Sequence, residues 1–389
     1  MRRLRYLFFE ICYFLCRLIL PIKEKLVVFE SDEDFCDNSW VLFDYMQNHT
    51  SGYQYIWLVH KTQNVQILSL NTKSVYHHYV LHSLKDILVL SRAKYFFYTH
   101  GFGQCFKPRD NQMVMNLWHG IPVKALKGGS GKPNSKPVFN YLLCLGEPNA
   151  PLIAKMLSCD VKYTIPLGYP RNDLLVRNMD KGICNPFAPE NFKGKVIIWM
   201  PTFRKSTDKR LSEESCDNET GLPLLENSSL IKKFNQFLST INVCVLVKIH
   251  HLQAYKETFK HDLSNIVFVT NADIKEKGLQ LYQILAKTDA LITDYSSVFF
   301  DYLLLDRPIG FILDDMEKYQ KSRGEFLYNP VTDLLAGKHI FNLQQLSDFC
   351  SEVYNEIDST CEVRRRIADK MIKYRDADSC KRIVDFLEL

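Results

Sequence analysis

Short, continuous runs of apolar residues, rich in β-branched and aromatic side chains, recur along this 389-residue chain. Continuous runs indicate strands that are covered on both faces, as in a parallel sheet with helices on either side, whereas strands with one solvated face alternate apolar and polar residues. The runs form two series: LVVFE, YIWLV, KYFFYT, VMNLW and YLLCLG, then KVIIWM, VCVLVKIH, NIVFV, ALIT and PIGFI. The sequence therefore predicts an α/β protein with two doubly wound units.

Composition marks the boundary between the two units. The stretch 177–195 contains glycine, proline and asparagine without periodicity, which is typical of a linker. We therefore predict one Rossmann-like domain over 25–180 and a second over 190–365, followed by a charged C-terminal helix over 366–389. A chain of this length also exceeds what one hydrophobic core usually supports.

The segment 1–24 combines apolar residues with arginines. Glu10 and Arg17 interrupt its apolar core and no small-residue cleavage site follows, so an export signal is disfavoured. As a helix the apolar part would be only about 25 Å long, which is short for a bilayer. We predict an amphipathic helix that lies in the membrane interface, and packing on the protein's own surface is the alternative.

Charge and motif content exclude several classes of protein. The net charge of +5 does not by itself predict nucleic-acid binding, although it suits an anionic substrate or an anionic membrane. The twelve cysteines form no C-x-x-C pair, which argues against a zinc site and fits reduced thiols in a cytosolic protein. GGSGKPNSK is not a Walker motif, because proline follows Lys132, and no dinucleotide fingerprint is present. We expect no metal site built from protein ligands alone.

The stretch ALITDYSSVFFDYLLLD is the most informative one. A buried strand ends at Thr293, and Asp294, Ser296 and Ser297 precede a helix. Free backbone N–H groups and the helix dipole at such a position favour an anion such as phosphate. The simpler interpretation of an isolated D-x-S-S is that Asp294 or Ser296 serves only as the N-cap of the helix.

Two other strand ends in the second series carry basic or hydroxyl side chains. Lys248 and His250 lie two residues apart on a strand, so both point to one face and could contact one diphosphate. Thr202 and Arg204 follow KVIIWM and should emerge at the same edge. A lone histidine at such a place is more often structural than catalytic, but three strand ends here predict one basic, hydroxyl-rich pocket.

His119 follows the strand VMNLW of the first series. Gly120 and Pro122 disfavour a helix after it, so we place the imidazole in a loop with Lys124 and Lys127 nearby. Histidine, with an ordinary pKa near ~6.5, is the side chain best matched to taking a proton from an alcohol at neutral pH. A histidine that only fills the turn is the alternative.

Together these motifs resemble the CDP-glycerol glycerophosphotransferase family, which includes teichoic acid primases and polymerases. The segments that carry the resemblance, in family order over roughly residues 25–370, are NLWHGIPVKALKG, PLGYPRNDLL, WMPTFR, VLVKIHH, ITDYSSVFFDYLLLDRPIGFILDD and YQKSRGEF. The resemblance implies a GT-B architecture of two facing Rossmann-like domains: an N-terminal acceptor-side domain and a C-terminal domain that binds the CDP-alditol. It also implies peripheral association with the cytoplasmic face of a bacterial membrane.

The resemblance further implies a reaction and roles for residues. Family members transfer glycerol phosphate, or a related alditol phosphate, from a CDP-alditol such as CDP-glycerol to a hydroxyl of a lipid-linked or polymeric cell-surface glycan, and CMP is released. No cofactor is required, although Mg²⁺ could accompany the CDP-alditol. Family positions match those of the following residues: His119 for the general base, His250 for the donor phosphates, Ser296 and Ser297 for the donor diphosphate, and Arg171 and Arg204 for donor binding.

Some features of the chain leave alternatives open. AGKHIFN stands where the family usually has glycine-proline after RGEF, and the length favours a primase or a capsule-type transferase over a processive polymerase. A GT-B glycosyltransferase that uses a nucleotide sugar would share the fold. A non-catalytic protein that binds a membrane surface is the third possibility, and the intact His119, His250 and DYSS argue against it.

Overall fold

The protein is a two-unit α/β structure in a computed structural model. The model describes residues 2–60, 76–80, 83–100, 107–121, 123, 137–179, 184–202, 219–248, 263–316, 328 and 331–389. The first unit comprises Met1–Ile121, Gly129–Leu174 and Ile372–Leu389, and the second comprises Pro122–Gly128 and Leu175–Met371. The C-terminal residues thus belong with the N-terminal half of the chain.

The first unit contains a seven-stranded sheet in which every described pairing is parallel. Its strands are β1 (Lys23–Glu30), β2 (Gln54–Val59), β3 (Tyr76–Val80), β4 (Ala93–Tyr98), β5 (Met113–Asn116), β6 (Tyr141–Leu143) and β7 (Thr164–Ile165), in the order β3-β2-β1-β4-β5-β6-β7. Its helices are α1 (Arg2–Ile19), α2 (Asp37–His49), α3 (Leu84–Leu90), α4 (Ala150–Met156) and, near the C-terminus, α12 (Ser379–Phe386). Helix α5 (Pro170–Arg177) begins in the first unit, and its last residues, from Leu175, are assigned to the second.

The second unit contains a six-stranded sheet, also parallel throughout. Its strands are β8 (Lys195–Trp199), β9 (Val243–Lys248), β10 (Ile266–Val269), β11 (Ala290–Thr293), β12 (Ile309–Ile312) and β13 (Lys338–Ile340), in the order β10-β9-β8-β11-β12-β13. Its helices are α6 (Ser228–Thr240), α7 (Asn271–Glu276), α8 (Leu281–Leu285), α9 (Val298–Tyr302), α10 (Leu343–Tyr354) and α11 (Cys361–Met371). The prediction of two doubly wound parallel-sheet units is confirmed.

The central strands of each sheet are covered on both faces, as the continuous apolar runs require. Val27, Val28 and Phe29 of β1 are consecutive and have no exposed surface. The ring of Phe29 stacks on Trp57 of β2 at 5.5 Å between centroids and meets Phe43 of α2 edge-on at 5.5 Å. Aromatic pairs at such distances add to the free energy gained by burying apolar area, so this cluster anchors α2 on the sheet.

Helix α1 presents an apolar side to the surface. Tyr13 is buried and donates a hydrogen bond to the backbone oxygen of Lys107 (3.0 Å), and Arg109 donates to the oxygen of Leu20 (2.8 Å). Among the described side chains of this helix, from residue 7 onward, seven apolar ones are half exposed or more: Leu7, Phe8, Ile11, Phe14, Leu15, Leu18 and Ile19. Among the described helices, none has both the length and the apolar content needed to cross a membrane.

The tail that was predicted as one helix over 366–389 contains the end of α11 and the separate helix α12. Asp173 of α5 fixes the start of α12, because its carboxylate accepts the backbone N–H groups of Ser379 (2.8 Å) and Cys380 (2.9 Å). The first N–H groups of a helix have no partner within the helix, so a buried carboxylate supplies the missing acceptor. A residue 206 positions away therefore docks the C-terminal helix on the first unit.

Candidate active site

His119 lies in a strained turn directly after β5. Trp118 has a positive φ of 51°, which is uncommon for a bulky residue, and Gly120 has a φ of 135° that suits glycine. The backbone N–H of Trp118 donates to Oδ1 of Asn116 (2.9 Å), and the N–H of Leu117 donates to the oxygen of Tyr98 (2.7 Å). These bonds attach the turn to the end of β5 and to the neighbouring strand β4.

The surroundings of the His119 ring select one tautomer. Nδ1 lies 3.2 Å from the backbone oxygen of Thr99, and because a carbonyl only accepts, Nδ1 carries the proton. The ring also stacks on His100 at 4.1 Å between centroids and lies 4.0 Å from the ring of Trp118. Nε2 then holds the lone pair, which is the form that a general base needs.

The electrostatic environment keeps this imidazole neutral. Burial, followed by the neighbouring His100, lowers the pKa of His119 to about 3, while the carboxylate of Asp37 acts in the opposite direction. An anion bound close to the ring would raise the same pKa, because it favours the charged form. At neutral pH the imidazole of the free protein is therefore neutral, with its proton on Nδ1 and its lone pair on Nε2.

Arg171 contacts the His119 turn. Its Nη1 donates to both carboxylate oxygens of Asp37 (3.0 and 3.1 Å), and its Nη2 donates to the backbone oxygen of His119 (2.9 Å). Asn38 accepts from the backbone N–H of Arg171 (3.0 Å) and donates to the oxygens of Leu117 (3.1 Å) and Trp118 (2.7 Å). The sequence pattern suggested donor binding for Arg171. It gave no sign of a role for Asp37 and Asn38, because the segment DNS that they begin resembles an ordinary helix start.

Other ionisable groups lie at the carboxyl edge of the first sheet. Glu30 ends β1 with no exposed surface, and burial raises its pKa to about 8. Oδ1 of Asp34 accepts from the backbone N–H of His60 (2.8 Å) and lies 3.0 Å from its Nδ1. This hydrogen bond is the main cause of a raised pKa of His60. This cluster was not predicted from the sequence. A glutamate at the end of the apolar run LVVFE did, however, indicate an ionisable group at the end of a buried strand.

The second unit brings several predicted donor-binding residues to one sheet edge. Strands β9, β8 and β11 are neighbours, and Lys248, Thr202 and Asp294 lie at or just beyond their carboxyl ends. Asp294 is buried, and its Oδ2 accepts from the backbone N–H (2.9 Å) and the hydroxyl (2.7 Å) of Thr202. The carboxylate therefore joins two strand ends.

Ser296 and Ser297 immediately precede α9 and are partly exposed. Ser297 occupies the N-cap position, but its side chain makes no capping hydrogen bond. The simpler interpretation gave the N-cap to Asp294 or Ser296, whereas the structure has Ser297 at this position, and Asp294 accepts hydrogen bonds from Thr202. His250 and Arg204 lie outside the described residues, as do Lys124, Lys127 and the whole of YQKSRGEF.

Comparison with known proteins identifies the family. Residues 12–389 match the family described as CDP-Glycerol:Poly(glycerophosphate) glycerophosphotransferase. The chain belongs to this family. The match extends over nearly the whole chain, so it covers both units of this member of the glycerophosphotransferase family.

Relatives of this family member act in teichoic acid synthesis by name. The chain is 28% identical to the teichoic acid poly(glycerol phosphate) polymerase of Staphylococcus epidermidis over 346 residues, which cover 80% of this chain but only 43% of that protein. It is 26% identical to the teichoic acid glycerol-phosphate transferase of Staphylococcus aureus over 385 residues, or 94% of this chain and 92% of that protein.

A solved structure shows the same fold. A structure of the wall teichoic acid polymerase TagF superposes with a TM-score of 0.76 at 21% identity, and covers 98% of this chain and 93% of that chain. At this identity the likeness establishes the fold, which is GT-B-like. Among the described residues, no group of three or more His, Cys, Asp or Glu side chains is arranged to hold a metal ion.

Proposed function

We propose that this protein transfers glycerol phosphate, or a related alditol phosphate, from a CDP-alditol such as CDP-glycerol to a hydroxyl of a lipid-linked or polymeric cell-surface glycan. CMP is the second product. The observation that carries the proposal is His119, whose tautomer is set by Thr99 so that Nε2 can accept a proton. Membership of the glycerophosphotransferase family supports the substrate class.

The proposed reaction is an in-line displacement at the β-phosphorus. A bond forms between the acceptor oxygen and this phosphorus, and the bond to the bridging oxygen breaks, so that its electron pair leaves with CMP. The hydroxyl proton goes to Nε2 of His119. Phosphoryl transfer depends mainly on positioning and on charge stabilisation, so the protein needs no covalent intermediate. Asp37 favours the imidazolium that forms, because it raises the proton affinity of the ring.

We assign donor binding to the carboxyl edge of the second sheet. Ser296 and Ser297 supply hydroxyls at the start of α9, Lys248 ends β9, and Thr202 lies just beyond the end of β8. Asp294 positions Thr202 by accepting its N–H and hydroxyl. His250 and Arg204 complete this donor set in the proposal. Mg²⁺ bound to the CDP-alditol is an optional component, which assays with and without a chelator will test.

The test is turnover by purified protein with CDP-glycerol and CDP-ribitol in parallel. CMP release is followed with lipid-linked and polymeric acceptors, and a UDP-sugar serves as the donor in a separate reaction. We expect CMP release and a phosphorus-containing product, and His119→Ala should lower kcat by about 10²- to 10⁴-fold while nucleotide binding persists. His49→Ala, which removes an exposed histidine of α2, is the control. Unchanged turnover in His119→Ala, or sugar transfer without phosphorus, would refute the proposal.

We also propose that α1 lies on the cytoplasmic face of the membrane. Its half-exposed apolar side chains would enter the headgroup boundary, and its arginines would meet anionic lipid. A variant that lacks residues 1–22 should lose binding to vesicles containing anionic lipid. If the truncated protein still sediments with the vesicles, α1 is not the anchor.

A further inference from the structure

Three segments distant in sequence meet at the backbone of the His119 turn. Asp37 and Asn38 begin α2, Arg171 lies at the start of α5, and the turn follows β5. Arg171 is separated from Asp37 by 134 positions and from His119 by 52. Asn38 is fully buried and Arg171 is 5% exposed. The contacts therefore form inside the first unit.

The side chains of the ion pair, Arg171 and Asp37, are only 6% and 17% exposed, and a largely buried pair of this kind needs a reason beyond stability. Replacing such a pair by apolar residues of similar volume is often neutral or stabilising, whereas removing one partner is costly. Here Nη1 of Arg171 donates to both carboxylate oxygens of Asp37, and Nη2 donates to the backbone oxygen of His119. Arginine can satisfy both acceptors at once because its guanidinium is planar and rigid, which a lysine ammonium cannot reproduce.

Backbone strain lies on both sides of this pair. Asp37 has a φ of 58° and Trp118 a φ of 51°, and neither is glycine. Such conformations are unfavourable for residues other than glycine and persist only where surrounding contacts impose them. Asn38 supplies those contacts to the turn, since its Nδ2 donates to the oxygens of Leu117 and Trp118. Strain of this kind is concentrated where a side chain must be held in one orientation.

We propose that Asp37, Asn38 and Arg171 form a clamp that holds the His119 turn, so that Arg171 acts in the transfer step as a positioning residue for the imidazole. This inference rests on the proposed function, because it takes His119 as the proton acceptor. It assigns to Arg171 a role through the protein backbone, in place of contact with the CDP-alditol.

The experiment compares kcat with the KM for CDP-glycerol. In Arg171→Lys the charge remains but the paired hydrogen bonding is lost, so we expect kcat to fall by about 10- to 100-fold with little change in KM. Asp37→Asn, which is nearly isosteric, should lower kcat in the same way. Because both act through one contact, the double variant should lose little more than either single variant.

A matched control breaks a similar ion pair elsewhere in the first unit. Nη1 of Arg382 donates to both oxygens of Asp376 (2.7 and 2.9 Å), and Arg382→Lys should leave kcat unchanged. Urea unfolding and nucleotide binding are measured for every variant. If Arg171→Lys does not fold, Asn38→Ser carries the test, because it removes the hydrogen bonds to Leu117 and Trp118 without changing the charge near the ring, whereas Asp37→Asn also removes the carboxylate that favours the imidazolium.

The His119→Ala background separates the two proposals. In this background the clamp has no imidazole to position, so Arg171→Lys should cause no further loss of residual turnover. A higher KM for CDP-glycerol with unchanged kcat in Arg171→Lys would overturn the inference, because it is the signature of a donor contact. Folded clamp variants with unchanged kcat would overturn it as well. Full turnover in His119→Ala would instead refute the proposed function.

Discussion

Replacing Glu30 with glutamine should make the stability of the first unit less dependent on pH. Glu30 has no exposed surface, and neither carboxylate oxygen meets the geometry of a hydrogen bond to a described residue. Burial raises its pKa from 4.5 to about 8, although His60, whose Nε2 lies 3.6 Å from Oε1, opposes the shift. In the native state the carboxyl therefore stays protonated at pH values where it ionises in the unfolded chain.

The direction and size of the effect follow from proton linkage. Between about pH 4.5 and 8 the folded protein binds a proton that the unfolded chain has released, so the free energy of unfolding falls as the pH rises. Each pH unit in the middle of this window corresponds to about 1.4 kcal/mol. As the pH rises from about 5 to 8, the free energy of unfolding should therefore fall by about 3 kcal/mol because of Glu30. With glutamine at this position, this decrease should be absent.

The assay is urea unfolding followed by tryptophan emission. Three of the four tryptophans, Trp40, Trp57 and Trp118, lie in the first unit, so emission reports mainly on it. The quantity measured is the free energy of unfolding of Glu30→Gln minus that of the native sequence. We expect this difference to increase by about 3 kcal/mol from about pH 5 to pH 8.

A surface glutamate of the same strand provides the control. Glu24 is 67% exposed and pairs with Lys94 at 3.1 Å, and exposed pairs of this kind contribute little. Glu24→Gln should therefore shift stability by a nearly constant amount across the range. A difference for Glu30→Gln that does not change with pH would contradict the reasoning, since the buried carboxyl would then already be ionised in the folded protein.

Three further outcomes are expected. Because burial lowers the pKa of His119 to about 3, kcat/KM should show no acidic limb near ~6.5, and a break there in the pH profile would contradict a neutral ring. Gly168→Ala should destabilise the first unit by about 1–3 kcal/mol in urea unfolding, because Gly168 has a φ of +86° and a new Cβ would lie 2.6 Å from Oγ of Ser379. Asp358→Asn should destabilise the second unit more than Arg364→Met in urea unfolding followed by circular dichroism, to which both units contribute, because it leaves the buried Arg364 without one of its two carboxylates.

The apolar runs predicted most of both sheets because a central parallel strand is buried on both faces, and its own residues show this. Three strands were missed: β3 (Tyr76–Val80), β7 (Thr164–Ile165) and β13 (Lys338–Ile340). Each of the three is an edge strand of its sheet. β7 pairs with its neighbour over two residues and β13 over three. These short strands form because a neighbouring strand is there to pair with, and local composition does not show this.

The candidate site shows the same division between local and distant information. Parallel strands end at one edge, so strand positions alone place Thr202, Lys248 and Asp294 together. The use of each charged side chain depends on where its partner lies. From sequence alone, an arginine near a phosphate-binding motif could bind either a ligand phosphate or a carboxylate of the protein. The partner of Arg171 becomes clear only in the fold, where Nη1 lies 3.0 Å from Oδ1 of Asp37. Asp37 accepts hydrogen bonds from Nη1 of Arg171, and the backbone oxygen of His119 accepts one from Nη2. The positioning role that we propose for Arg171 rests on these contacts, whereas the sequence pattern suggested donor binding.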